Sequence, residues 1–207
     1  MSDFQEVPIM IKNIVFDLGQ VLINFQPASY LQGLFPTHPQ LEDVQRAIFG
    51  SAEWIMLDRG VIDQMEAELR LINQHPHFKE EISQALAGWF SMLTPIEINV
   101  QLLPRLKEKG YGLYVISNFH EEAFAHIEAK YDWFKLFDGL VISFENQVMK
   151  PEPRIYQELL ERYQLQGKEC LFIDDVAANC EGARRMELEA ILYQSPDQLK
   201  RDLDRFL

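Results

Sequence analysis

Cysteine and basic residues are both scarce in this sequence of 207 residues. Only two cysteines occur, Cys170 and Cys180, which is too few for a disulfide framework, so we expect buried free thiols. Lysine and arginine number 19 against 32 aspartates and glutamates, which gives a formal net charge of −13. A surface of this sign repels nucleic acid and anionic lipid, so we expect neither as a partner.

Long apolar runs are also missing. Residues 1–12 contain acids and lack the continuous apolar segment of a signal peptide. Residues 18–41 carry no charge, but three prolines and four glutamines among them argue against a membrane span. Hydrophobic residues still make up 47% of the chain, which is enough for a packed core. We therefore expect a cytoplasmic globular protein with no membrane partner.

The hydrophobic periodicity predicts an α/β protein with a helical insertion. Apolar segments typical of strands alternate with helix-like segments, which indicates a parallel sheet flanked by helices, a Rossmann-like arrangement. The predicted strands are residues 12–17, 112–118, 139–143, 169–175 and 189–193. From residue 27 to about 93 the pattern is helical only. We predict a core domain from residues 1–25 and 94–207, with an inserted all-α cap at 26–93.

Polar residues follow the predicted strands at the edge where parallel sheets bind ligands. These residues are Asp17, Ser117, Asn118, Asp174 and Asp175, with Lys150 just after the third strand. Three carboxylates in one pocket need a counter-charge, and Mg²⁺ suits carboxylate and phosphate oxygens. A lysine and hydrogen-bond donors can hold the remaining phosphate oxygens. Asp17 is then placed to attack phosphorus and form an aspartyl-phosphate.

Four segments of the sequence carry a resemblance to a known family. They are FDLGQVL (16–22), VISN (115–118), MKPEPRIYQ (149–157) and FIDDVAANCEGA (172–183). In their order and spacing they resemble the motifs of the haloacid dehalogenase (HAD) superfamily, in the branch (subfamily IA) with a helical cap after the first strand. The residues of these motifs are most similar to those of small sugar-phosphate phosphatases, including glucose-1-phosphate phosphatases, and of the phosphatase half of epoxide hydrolases.

The resemblance implies a role for each of these polar residues. Asp17 would be the nucleophile and a metal ligand. Asp174 and Asp175 would hold Mg²⁺, with Asp175 as the direct ligand and Asn179 supporting the loop. The resemblance further implies that phosphate is bound by Ser117, Asn118 and Lys150.

Gly19 departs from the common pattern of the superfamily, in which a second aspartate stands at this position. The backbone carbonyl of Gly19 can still bind the metal, but the side chain that protonates the leaving group is absent. Such a general acid is typically worth about 10²–10⁴-fold in rate. Water, a residue of the cap or His120 could supply the proton. Alternatively the leaving group needs little protonation, as in a hexose-1-phosphate, which is the substrate type that we favour.

Several interpretations remain beside a Mg²⁺-dependent phosphatase acting on a small phosphorylated metabolite. A catalytically weak or non-catalytic phosphate binder is the alternative that Gly19 suggests. A metal-free dehalogenase is disfavoured by the paired Asp174 and Asp175. In the helical segment, Arg59 could reach a substrate oxygen, whereas the aromatic and methionine side chains are expected in the core rather than in the substrate wall. These side chains are Trp54, Met56, Trp89, Phe90 and Met92. We expect a monomer or a homodimer.

Overall fold

The computed structural model describes residues 10–206, and side chains up to residue 204. Residues 1–9, which include most of the segment that lacks the features of a signal peptide, therefore lie outside the described part. Five parallel strands form one sheet, as the sequence predicts. They are β1 (Asn13–Phe16), β2 (Gly112–Ser117), β3 (Gly139–Ile142), β4 (Cys170–Asp174) and β5 (Glu189–Leu192).

The strands are apolar at successive positions because both faces of the sheet are covered. In β1, Ile14, Val15 and Phe16 are all fully buried. Ile14 and Phe16 pack into one hydrophobic cluster, while Val15 packs into a second cluster on the opposite face. The alternation follows from the two-residue period of a strand. Both cysteines are buried free thiols, as expected.

The order of the strands places β1 at the centre of the sheet. The order is β3-β2-β1-β4-β5, so the chain runs outward from β1 through β2 to β3 and then crosses back to β4. The direction of the connections therefore reverses between β1 and β4. In open α/β sheets, ligands bind in the crevice beyond the carboxyl ends of the strands at such a point.

Between β1 and β2 the chain forms only helices over residues 27–92, which we call the helical insertion. Its α-helices are α1 (Pro27–Leu34), α2 (Leu41–Phe49), α3 (Ala52–Arg59), α4 (Gln64–Gln74) and α5 (Lys79–Gly88). Side chains cap two of them: Ser51 accepts a hydrogen bond from the Trp54 N–H, and Asp63 accepts one from the Glu66 N–H. The apolar faces of these helices join the same cluster that covers Ile14 and Phe16.

Seven further α-helices complete the fold. They are α6 (Glu97–Val100), α7 (Leu102–Glu108), α8 (Glu121–Lys130), α9 (Ser143–Asn146), α10 (Pro153–Arg162), α11 (Ala177–Arg185) and α12 (Pro196–Phe206). None of the helices in residues 10–206 has the length and the apolar character that crossing a membrane requires.

Two predicted helices are each interrupted in the structure. The hydrophobic pattern of residues 99–110 predicts one helix, but α6 and α7 meet at Gln101. Pro104 has no N–H to donate to the carbonyl of Val100, which explains the break. The pattern of residues 78–93 likewise predicts one helix, yet α5 ends at Gly88 and residues 89–92 form a 3₁₀ turn. Glycine is a weak helix former, which favours this end.

Candidate active site

Three carboxylates meet at the carboxyl ends of the two central strands. Asp17 directly follows β1, while Asp174 ends β4 and Asp175 comes next. One oxygen from each lies within 4.8 Å of the others. Carboxylate oxygens at this spacing are the ligands that a hard divalent cation such as Mg²⁺ uses.

Lys150 lies between two of these acids. Its Nζ atom is 2.7 Å from Asp17 Oδ1 and 2.7 Å from Asp174 Oδ2, and the lysine side chain is only 2% exposed. Asn118 fixes the lysine backbone, because its Oδ1 accepts from the Lys150 N–H at 2.8 Å and its Nδ2 donates to the Lys150 carbonyl at 3.2 Å. The two predicted phosphate-binding segments are therefore joined to each other and to the carboxylates.

Further hydrogen bonds orient the carboxylate of Asp17. Its Oδ1 accepts from the Leu18 N–H and from the Ser117 hydroxyl, each at 2.7 Å, in addition to the contact with Lys150. These contacts all fall on one oxygen, so Oδ2 is the oxygen available for chemistry.

Asp174 is held even more completely. Its Oδ1 accepts from the Val176 N–H at 2.7 Å and from Asn179 Nδ2 at 3.0 Å, while Oδ2 accepts from Lys150 and from Asn179 at 3.1 Å. Asp174 is fully buried, as is expected of a charged group with this many partners. Asp175, in contrast, is only half-buried and faces a cavity.

The electrostatics of the site favour a bound cation. Burial raises the pKa of Asp17 to about 7, with the charge of Asp174 adding to the effect and Lys150 opposing it. Burial and the neighbouring Asp174 also raise the pKa of Asp175. Burial alone would lower the pKa of Lys150, but Asp17 and Asp174 outweigh it, and the net direction is upward. One lysine is thus surrounded by more negative charge than it neutralises.

A cavity of about 160 Å³ opens above the carboxylates. Its polar lining includes Asp17, Gly19, Asn118 and Asp175. Of the predicted phosphate-binding residues, Asn118 thus lines the cavity, whereas Ser117 and Lys150 are buried and contact Asp17. An added Cβ at Gly19 would have no heavy atom of the described chain within 4 Å. Steric contacts therefore do not explain why residue 19 is a glycine.

The opposite wall is largely apolar and comes partly from the helical insertion. It consists of Ile23, Phe25, Trp54, Trp89, Leu93 and Phe119. Trp54 and Trp89 were expected in the core rather than in the substrate wall. They occupy both positions, since they are 8% and 2% exposed yet line the cavity, with ring centroids 4.8 Å apart.

Gln20, Asp58 and His120 complete the lining. His120 was a candidate in the sequence, but Asp58 was not, because an acid at the end of a helix normally indicates a solvated face. Its neighbour Arg59 was considered in the sequence as a residue that could reach a substrate oxygen. Arg59 instead forms an ion pair with Glu152 and donates to the Gln147 carbonyl at 3.0 Å, so it joins the insertion to the core.

Comparison with known proteins identifies the family of the chain. A family model of haloacid dehalogenase-like hydrolases matches residues 11–187. The chain therefore belongs to the haloacid dehalogenase-like hydrolase family, as the motifs of the sequence predicted.

Individual relatives include phosphatases that are named for different substrates. A sesquiterpene phosphatase of Aspergillus oryzae is 28% identical over 169 residues, which cover 81% of this chain and 82% of the relative. D-ribitol-5-phosphate phosphatase of Bacteroides thetaiotaomicron is 24% identical over 94% of this chain and 97% of the relative. In several other relatives the matching part spans only 19 to 36% of the longer protein.

Solved structures confirm the fold. A HAD family enzyme of Bacteroides thetaiotaomicron, in complex with magnesium and inorganic phosphate, matches with a TM-score of 0.71 and 23% identity. The match covers 89% of this chain and 94% of that one. The predicted α/β class, a HAD-type core with a parallel sheet, is thus confirmed.

Proposed function

We propose that this protein is a Mg²⁺-dependent phosphatase that hydrolyses phosphate monoesters through an aspartyl-phosphate on Asp17. The observation that carries the proposal is the convergence of Asp17, Asp174 and Asp175 around Lys150, with carboxylate oxygens within 4.8 Å of one another. The phosphatases among its relatives support the same chemistry.

The donor set fits Mg²⁺, because it offers oxygen ligands of negative charge that one lysine does not neutralise. We propose that the metal is held by Asp17, Asp174, Asp175 and the carbonyl of Gly19. Asp175 suits direct ligation, since it faces the cavity, whereas both oxygens of Asp174 already accept hydrogen bonds from Lys150, Val176 and Asn179. When bound, Mg²⁺ would neutralise charge on the phosphate and allow two anions to approach each other.

In the first step, Asp17 Oδ2 attacks phosphorus, the bond from phosphorus to the ester oxygen breaks, and that oxygen takes up a proton and leaves as an alcohol. Lys150 and Ser117 hold Oδ1, which directs the free oxygen towards the cavity. We propose that Ser117, Asn118 and Lys150 also hold phosphate oxygens during this step. In the second step, water attacks the aspartyl-phosphate, releases phosphate and restores the carboxylate of Asp17.

For the substrate we propose a small phosphorylated metabolite. A cavity of about 160 Å³ is well below the roughly 300–1,000 Å³ of sites for drug-sized ligands. A sugar phosphate such as a hexose-1-phosphate remains our prediction, because its anomeric oxygen leaves without much help from an acid at position 19. The indole rings of Trp54 and Trp89 offer flat surfaces against which a ring can pack.

The experiment measures phosphate release from a panel of hexose-1-phosphates, hexose-6-phosphates, pentitol phosphates and isoprenoid phosphates, with Mg²⁺ and with EDTA. We expect metal-dependent turnover that Asp17→Asn abolishes. Asp132→Asn, at a side chain that is 92% exposed, is the matched control and should behave as the parent protein. A protein that binds Mg²⁺ and phosphate but releases none from any ester would contradict the proposal and favour the non-catalytic binder.

We retain two further predictions from the sequence, a cytoplasmic location and a monomeric or homodimeric state. Fractionation of the source cells tests the first. Sedimentation of the purified protein tests the second, and a trimer or larger assembly would contradict it.

A further inference from the structure

The site contains an acid that its nucleophile motif does not supply. Departure of an alkoxide needs a proton, and position 19, where the motif would place the donor, is glycine. Asp58 supplies a further carboxyl group in the same cavity as Asp17 and Asp175, from the last turn of α3. Its side chain is 21% exposed, so it is largely removed from solvent but not closed off from the cavity.

The position of Asp58 suits the leaving group. Phosphoryl transfer places the attacking and the leaving oxygens roughly in line across phosphorus. Asp17 attacks from the sheet edge, so the leaving oxygen points away from the sheet, towards the helical insertion. Asp58 is an acidic residue that the insertion contributes to the cavity lining.

Several contacts fix the last turn of α3, which carries Asp58. The Ser143 hydroxyl donates to the Asp58 carbonyl and accepts from the Phe119 N–H at 2.9 Å, next to the predicted phosphate-binding Asn118. Gly60 has a φ of +72°, and an added Cβ there would lie 2.8 Å from the Cα of Phe144. The turn is therefore packed directly on the core beside the phosphate site.

His120 orients the carboxyl group of Asp58. Its Nε2 atom lies 3.2 Å from Asp58 Oδ1, and the imidazole is packed against Trp54 with 4.2 Å between ring centroids. Burial lowers the pKa of His120 to about 3, so the ring is neutral near pH 7. The Nε2 atom is buried and has no hydrogen-bond partner among the described residues, although Asp58 Oδ1 lies within reach of it. A neutral imidazole can hold Asp58 Oδ1 through an N–H at Nε2, which leaves Oδ2 of the carboxyl group to carry the proton for the leaving group.

We propose that Asp58 is the general acid and base of this site, in place of the side chain missing at Gly19, with His120 as its positioning residue. The inference rests on the proposed phosphatase function. Burial, with the charge of Asp17 as a second cause and Lys150 opposing, raises the pKa of Asp58 to about 7. A carboxyl group with this pKa exchanges a proton readily near neutral pH.

The proton balance of both steps is closed. As Asp17 Oδ2 bonds to phosphorus, the bond from phosphorus to the ester oxygen breaks and that oxygen takes the proton of Asp58, which gives a neutral alcohol and a carboxylate. Asp58 then accepts a proton from the attacking water while the bond from phosphorus to Asp17 breaks. Phosphate leaves, and the enzyme returns with Asp58 protonated.

The test compares two phosphate esters that differ in their need for an acid. A nitrophenyl phosphate releases a stable phenolate, whereas an alkyl phosphate releases a strongly basic alkoxide. For Asp58→Asn we expect a loss of about 10²–10⁴-fold in kcat/KM with the alkyl ester, and a loss at least tenfold smaller with the aryl ester. Asp43→Asn, in the same helical insertion with a side chain 46% exposed, is the control and should leave both rates unchanged.

A second variant tests for rescue. The open space beside Gly19 accepts a side chain, so Gly19→Asp in the Asp58→Asn background should restore much of the alkyl-ester rate. His120→Phe removes the hydrogen-bonding group beside Asp58 Oδ1 and should reduce alkyl-ester turnover selectively, while His120→Gln should retain more of it. A purely structural role for His120 would lower both rates together.

Each outcome has a distinct meaning. Equal losses with both esters, or no loss with either, would overturn the role of Asp58 and leave the phosphatase intact. If Asp17→Asn retained turnover, the proposed function itself would fail, and the role of Asp58 with it. Selective loss with rescue at position 19 would establish the acid.

Discussion

Replacement of the nucleophile should stabilise the metal-free protein at alkaline pH. Asp17→Asn keeps the shape of the side chain and an Oδ1 atom that can accept from Leu18, Ser117 and Lys150. It removes one negative charge from a buried group of two carboxylates and one lysine. Lys150 and Asp174 then remain as a neutral pair at 2.7 Å.

The magnitude follows from the pKa of Asp17. The difference between about 7 in the folded protein and the ordinary 3.8 corresponds to at most about 4 kcal/mol. Between pH 3.8 and 7 the folded state binds more protons than the unfolded state, so this group lowers stability as pH rises. Asp17→Asn does not lose this stability as pH rises, because an asparagine side chain does not ionise. We therefore expect no advantage of Asp17→Asn near pH 4 and the full advantage above pH 7.

Urea unfolding followed by circular dichroism, in EDTA at pH 4 and at pH 8, measures the difference. Asp132→Asn serves as the exposed control. Addition of Mg²⁺ at pH 8 should reduce the advantage, because the metal offsets the charge of Asp17 in the parent protein. Identical unfolding midpoints at pH 8, or an equal advantage at both pH values, would refute the electrostatic reasoning.

Three further results are expected. Mg²⁺ at a hundredfold excess over its dissociation constant should raise the free energy of unfolding by about 2.7 kcal/mol, as a thermal shift that Asp175→Asn reduces; an unchanged shift would exclude Asp175 as a ligand. Lys150→Met should lower stability in EDTA at pH 8 by about 3–5 kcal/mol in urea titrations, since two buried carboxylates lose their counter-ion, and a loss below about 1 kcal/mol would contradict this. Gly60→Ala should cost about 1–3 kcal/mol because of its positive φ and its contact with Phe144, whereas Gly33→Ala, with open space in α1, should be neutral or mildly stabilising; equal effects in thermal unfolding would argue against the docked turn.

Most of the sheet could be predicted from the sequence, and so could the part of the site that lies at the ends of its strands. The strands are short, continuous apolar segments because a parallel sheet is covered on both faces, as Ile14, Val15 and Phe16 illustrate. The polar residues that follow them converge for a geometric reason, since the carboxyl ends of parallel strands share one edge. Asp17 and Asp174 could therefore be placed together although 157 residues separate them.

The part of the site that the helical insertion contributes could not be predicted in the same way. Which face of α3 turns to the cavity depends on how the helical insertion folds back onto the core, and this depends on distant contacts such as Ser143 with Asp58. Periodicity identifies Trp54 and Trp89 as buried, but burial against protein and burial against a ligand space produce the same pattern. The ends of α5 and α6 likewise reflect single residues, Gly88 and Pro104, rather than the hydrophobic pattern.

The central place of β1 has a consequence for how this chain folds as it is synthesised. β1 pairs with β2 about 100 residues later and with β4 about 157 residues later. At about 5–20 residues per second, the most apolar early strand waits on the order of ten seconds or more for its second partner. The helical insertion is synthesised after β1 and before β2. It contains mainly local contacts, which form quickly. We expect nascent chains that end before β4 to expose the edge of β1 that β4 later covers and to depend on chaperones that bind short apolar segments.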